Sequence, residues 1–166
     1  MTNYKAIDIA NWLIFKAAEY GDLITHLKVQ KLLYYSEAWV QALLDKELFR
    51  ENIQAWSHGP VVPEVFHALK SHQWNCLPVP DEKLIIKIDN EYLDVLNQVF
   101  DTYADIPAKT LELMTHNDEP WINARGHLEA EERCEVIMPK NEIKIYFKNK
   151  YLGGESGKTN SSKVEN

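Results

Sequence analysis

The stretch Ala55-Trp-Ser-His-Gly-Pro-Val-Val-Pro-Glu-Val-Phe-His-Ala-Leu-Lys70 carries more conformational constraint than any other part of this chain. Gly59 can take backbone angles closed to other residues, and Pro60 fixes φ and lacks an N–H donor, so a turn is expected at the pair. Pro63 can then occupy the first turn of a helix, where a missing donor costs nothing, and Val65, Phe66 and Leu69 follow at helical spacing. The segment therefore reads as a rigid corner feeding a helix that runs to about His72. In this reading Gly59, Pro60, Val61 and Pro63 hold the shape, with Gly59 and Pro60 setting the angle of that helix against the one before it.

Helical periodicity organises most of the remaining chain. Ala6, Ile9, Ala10, Leu13 and Ala17 share one face of a first helix, with Asn3 as its expected cap and Gly21 as its stop. Thr25 can cap a second, longer helix to Leu44, in which Val29, Leu32, Leu33, Ser36, Trp39, Val40 and Leu43 keep the 3.6-residue period. Adjacent helical positions diverge by about 100°, so of Tyr34 and Tyr35 one is expected near the surface. Lys28 and Lys31 read as a small basic ridge on a solvated face.

Glu47 to Trp56 is expected as a short strand or an extended arm anchored by Leu48, Phe49, Ile53 and Trp56. Cys76 to Asp81 reads as a proline-containing loop, and Lys83 to Asp89 as the best strand candidate, with Leu77 to Val79 as its possible partner. Further helices are expected over Asn90 to Tyr103, from Pro107 to near His116, from Pro120 to Gly126, and over Pro139 to Tyr151. His127 to Glu135 reads as an acidic solvated loop. The expected fold is mainly α: a single compact helical domain of about six helices with a minor short β element over residues 1–151. Residues 152–166 are expected to be a disordered tail.

A chain of 166 residues can bury a core without staples, and 45% apolar with 26% charged residues is ordinary for a soluble globular protein. The formal net charge of -7 disfavours direct nucleic-acid or anionic-membrane binding and favours a basic partner surface. No run approaches the roughly 20 apolar residues of a membrane span, and no signal pattern opens the chain, so a cytoplasmic protein is expected. Cys76 and Cys134 lie far apart and outside any Cys-x-x-Cys pattern, which fits reduced thiols.

Motif chemistry is sparse. There is no His-Glu-x-x-His, phosphate-cradling glycine loop, serine elbow or dinucleotide fingerprint, and the histidines form no recognised ligand spacing, so neither metal nor cofactor is expected. Cys76 could act as a nucleophile only if the fold brought His58, His67 or His72 to it. His58 and His116 each adjoin a turn and an aromatic. Two readings stay open for them: a paired polar site, which would suit an uncharacterised hydrolase, and the fixing of loops by hydrogen bonds.

Leu27-Lys-Val-Gln-Lys-Leu-Leu-Tyr-Tyr35, then Phe49 and Ile53-Gln-Ala-Trp56, then His58-Gly-Pro-Val-Val-Pro-Glu-Val-Phe66, and finally Thr115-His116 with Pro120-Trp121 form an ordered set. Together they resemble the Panacea domain, the SocA-like antitoxin family also met in phage-associated proteins, over roughly Tyr4 to Phe147. The resemblance implies a non-enzymatic, mainly helical domain that neutralises a cognate protein toxin of a type II toxin–antitoxin system by direct contact. It implies toxins such as alarmone-synthetase-like or other translation-blocking proteins. An alternative role is that of a proteolytic adaptor delivering the toxin to an ATP-dependent protease. Some relatives add a DNA-binding domain, for which this sequence has no room. Candidate partner-binding residues are Lys31, Tyr34, Tyr35, Trp56, His58, Glu64, His116 and Trp121, because Trp and Tyr give large anchor area with a polar handle.

Overall fold

The computed structural model describes residues 3–153. The expected tail from residue 154 onward lies outside the described residues. The elements in chain order are α1 (Ala6–Glu19), α2 (His26–Leu44), β1 (Ile53–Trp56), β2 (Gly59–Val61), α3 (Pro63–Leu69), α4 (Asn90–Tyr103), α5 (Ala108–Thr115), α6 (Glu119–Arg125), β3 (Ile137–Met138) and α7 (Lys140–Tyr151), with single 3-10 turns at Lys70–His72 and Glu82–Leu84. The mainly helical expectation holds, with seven α-helices and a small sheet among the described residues.

Helix α2 is the axis of the molecule. It packs against α1, α3, α4, α5, α7 and β2, so it is buried on nearly every side. Its start is set as the sequence suggests, with Thr25 Oγ1 accepting the Lys28 N–H at 3.4 Å. Total enclosure overturns two expectations. Tyr34 and Tyr35 are both buried, at 1% and 2% exposure, and Lys28 and Lys31 form no solvated ridge. The 100° divergence separates two side chains only when a helix has a wet side, and α2 has none along this stretch.

Polar residues on such a helix must find partners. Lys28 donates to the Ile106 carbonyl. Glu37, with no exposed surface, accepts from the Leu48 and Phe49 N–H groups at 2.9 and 3.1 Å, tying down the arm that follows the helix. Leu48, Phe49 and Ile53 are buried as expected, and Trp56 is half-buried. The arm also meets the N-terminus, where Tyr4 N–H donates to the Leu48 carbonyl at 3.0 Å. Asn3 does not cap α1: Lys5 occupies the cap position, and the first helical N–H, of Ala6, is satisfied from afar by Glu51 Oε2 at 2.9 Å.

The sheet has the order β2-β1-β3, with both pairings antiparallel, and Ala55 opposite Pro60 and Ile53 opposite Met138. Pro60 thus sits on an edge strand, the sheet position that tolerates a missing N–H. Lys83 to Asp89 is not a strand. It forms the 3-10 turn Glu82–Leu84 followed by irregular chain. Leu77, the supposed partner region, instead donates its N–H to the Ile24 carbonyl at 2.8 Å. No described helix is long and apolar enough to cross a membrane.

Candidate functional site

Gln30 and Lys31 hold the corner by its backbone. Gln30 Oε1 accepts the Val62 N–H at 2.9 Å and its Nε2 donates to the Val62 carbonyl at 3.3 Å, so the side-chain amide pairs with Val62 as a neighbouring strand would. Lys31 Nζ donates to the Pro60 carbonyl at 3.0 Å. Burial pushes the Lys31 amine down to about 7, with Glu112 pulling weakly the other way. Gly59, at φ +99°, lies under this lysine. A Cβ there would stand 2.7 Å from Thr115 Oγ1 and 2.9 Å from both Lys31 Cε and Nζ, so only glycine fits without something shifting.

The turn ahead of Gly59 is fixed from α5. His58 Nδ1 lies 3.0 Å from Glu112 Oε1, and Lys109 Nζ lies 3.0 Å from Glu112 Oε2. Burial pushes the Glu112 carboxyl up, but these hydrogen bonds and charges together outweigh it, and the group ends below the usual range. Residues of α6 complete the frame. Trp121 Nε1 donates to the Trp56 carbonyl at 2.9 Å, and Arg125 Nη1 to the Ala55 carbonyl at 3.0 Å. Arg125 Nη2 also reaches the Glu129, Ala130 and Glu132 carbonyls, gathering the acidic loop around one guanidinium. His116 stacks on Trp121 at 4.2 Å and 13°, and burial lowers its pKa.

Between α2 and α3 this frame leaves a cleft of about 270 Å³. Its apolar walls are Leu27, Trp56, Val61, Phe66 and Trp74. Trp56 and Phe66 meet edge to face at 4.8 Å, and Phe66 leans on His26 at 5.4 Å. Burial, with Lys31 and His72 nearby, takes His26 down to about 4, so it is neutral at neutral pH. Trp74 is 75% exposed, with the His58 ring 6.4 Å away. A second cleft shares Trp56 and Phe66 but is lined also by Glu131, Arg133 and Glu135.

The candidate residues from sequence divide accordingly. Trp56 and His58 line the first cleft, and Lys31 lies at its base. Glu64 is exposed on the first turn of α3 and does not line it. Tyr34 and Tyr35 are interior, and His116 and Trp121 are a stacked pair packed behind the turn. Gly59, Pro60 and Val61 are buried in β2, and Pro63 opens α3 as expected. Cys76 is exposed and its Sγ faces the Leu23 carbonyl at 3.5 Å, while Cys134 is buried and free. Sequence reasoning missed Gln30, Glu112, Asp118, Arg125, Phe66, Lys70 and Trp74 as site or frame residues. Gln30 lies within the Gln-Lys-Leu-Leu-Tyr run, which could have marked it. Asp118 could not be found that way: it is buried between Tyr34 and Tyr146, whose hydroxyls donate to it at 2.8 and 3.1 Å.

No curated protein and no solved structure matches the chain. A family model does match, over residues 29–122, from within α2 to within α6, the segment that contains the corner and its clamps from Gln30, Lys31, Glu112 and Trp121, while Arg125 and β3 lie beyond it. The chain belongs to the family described as antitoxin SocA-like, Panacea domain.

Proposed function

We propose that this chain is the antitoxin of a type II toxin–antitoxin system, binding a cognate protein toxin directly and blocking it in the cytoplasm. The observation that carries this reading is the family match over residues 29–122. The geometry supports it: the motif side chains Gln30, Lys31 and Trp121 are spent on the corner's backbone, at Val62, Pro60 and Trp56, with Gly59 leaving room for Lys31, and the frame so built has the exposed Trp74 beside it. A fixed frame with aromatic anchors suits protein binding, since little side-chain freedom is lost on association. Residues 1–151 act as one unit in this reading, because α1 and α7, outside the matched segment, cover flanks of α2.

Co-expression with each neighbouring gene tests it. One neighbour should arrest growth alone, this chain should restore growth, and the two proteins should co-elute as a complex while the toxin's half-life stays unchanged. A growth-arresting neighbour that this chain neither binds nor counteracts overturns the proposal. A toxin half-life that shortens only when this chain is present would mark delivery to an ATP-dependent protease instead of blocking.

A further inference from the structure

The cleft under Trp74 differs from the acidic balance of the rest of the chain. The chain carries 25 acidic against 18 basic residues, yet the ionisable side chains lining this cleft are His26, Lys31, His58 and Lys70, with no carboxylate among them. The buried carboxylate behind His58, Glu112, is taken up by His58 and Lys109. The neighbouring cleft that shares Trp56 and Phe66 has Glu131 and Glu135 instead, so the charge difference belongs to this cleft alone of the two.

Its walls are already set. Trp56 Nε1 donates to Gln54 Oε1 at 2.8 Å, Phe66 is wedged between Trp56 and His26, and His58 is held by Glu112. Among its Trp and Phe walls Trp74 is the exposed one, at the mouth of an apolar space. A volume of about 270 Å³ is below the roughly 300–1,000 Å³ of pockets that enclose whole small molecules, and suits one or two side chains of a larger partner.

We infer that this cleft takes an acidic segment of the partner protein, an aromatic or branched aliphatic side chain lodging among Trp56, Phe66 and Trp74 while a neighbouring carboxylate faces Lys70. The inference rests on the antitoxin reading only in taking the partner to be a protein. The apolar side chain supplies affinity by filling a preformed apolar space, and the Lys70 ammonium at its edge favours acidic segments over basic ones.

Panning a phage-displayed random peptide library on the full-length protein tests this without a toxin in hand. Enriched peptides should carry Asp or Glu beside an aromatic or branched aliphatic residue. They should lose about tenfold or more in affinity for Trp74→Ala and for Lys70→Glu. Both residues are exposed, so the variants should keep the wild-type circular dichroism and melting temperature, and Leu84→Ala, at 69% exposure and outside the cleft, should bind as wild type. Enrichment of basic peptides, no enrichment, or acidic peptides that bind both variants as tightly as wild type overturns the inference. Growth rescue separates the two readings. Rescue of a toxic neighbour that survives both substitutions places the toxin elsewhere and overturns the inference. A wild-type protein that fails to rescue, while its selected peptides still need Trp74 and Lys70, overturns the antitoxin reading and supports the cleft's specificity.

Discussion

Lys31 Nζ and the Pro60 carbonyl oxygen lie 3.0 Å apart, with Lys31 showing no exposed surface at all. The central helix thus closes an ammonium-bearing side chain onto the backbone of the corner, at a proline that has no N–H and an edge strand that has no outer neighbour. The carbonyl would otherwise be short of a donor in a buried setting.

This contact makes stability depend on pH in a defined direction. The unfolded lysine titrates near 10.5 and the folded one at about 7, so between these values the unfolded chain binds more protons and stability rises with pH. Below pH 7 the charged lysine is buried and its full penalty is present. The rise is on the order of 4 kcal/mol if no other group titrates. The buried tyrosines Tyr34, Tyr35 and Tyr103, all raised by burial, act oppositely above pH 10, where their unfolded forms ionise first. Urea titrations from pH 7 to 9.5 should show the rise for wild type and a flattened profile for Lys31→Met. Parallel profiles for the two proteins would remove Lys31 as the cause.

Gly59→Ala should destabilise by about 2–4 kcal/mol, combining a left-handed backbone position with overpacking. The added carbon would meet Thr115 Oγ1 at 2.7 Å and the Lys31 amine at 2.9 Å. The Lys31 end can swing, but only by giving up Pro60, and Thr115 is itself bonded to the Glu112 carbonyl at 2.7 Å. Chemical denaturation midpoints at unchanged slope measure the loss. A loss under about 0.5 kcal/mol would show that the pocket under the helix yields freely.

What was legible in the sequence and what was not divides along a physical line. Periodicity located the helices, Thr25 announced its cap and Pro63 its first turn, because those signals are local. Lys83 to Asp89 misleads because its apolar run looks like a strand, yet Leu84 is 69% exposed and no strand among the described residues pairs with it. Ile137–Met138, the strand that does pair, is two residues long and too short to leave a pattern. The corner was recognisable from Gly59 and Pro60, but the residues that clamp it come from α2, α5 and α6. Residue type tells that Lys31, Glu37 and Arg125 are charged, and only the fold tells that each is buried against carbonyl or amide groups. Trp74 stayed unremarked because it follows no period and belongs to no motif.

Tyr34→Phe should cost about 1.5–3 kcal/mol, since it removes a hydrogen bond to a buried carboxylate. Asp118 is already pushed up by burial, and the Tyr34 and Tyr146 hydroxyls pull it back. Loss of the Tyr34 hydroxyl should therefore move the Asp118 carboxyl further up, visible in an NMR titration of its side-chain carbon. Tyr146→Phe should act in the same direction, and because the two hydroxyls share one acceptor group, the double variant should depart from additivity by about 0.5 kcal/mol or more. Additive losses with an unmoved Asp118 would mean that the triad is three neighbours and not one network.

Glu37→Ala should cost about 3–5 kcal/mol at pH 7, as the loss of one member of a buried, hydrogen-bonded charge cluster does. It would strand the buried Leu48 and Phe49 N–H groups and the Gln41 amide at 3.0 Å, and take from Lys140 its carboxylate at 3.3 Å, leaving that ammonium the Phe49 carbonyl and Glu47. The pH dependence is a sharper check than the magnitude. Burial raises the Glu37 carboxyl above its usual 4.5 despite these partners, so the folded protein holds this proton more tightly than the unfolded chain. Its contribution is greatest below pH 4.5 and falls as pH rises through the folded value. The stability gap between wild type and Glu37→Ala should therefore widen on acidification towards pH 4.5. A gap that closes would show Glu37 to be an ordinary ion-pair carboxylate, held by Lys140 more strongly than it is penalised by burial.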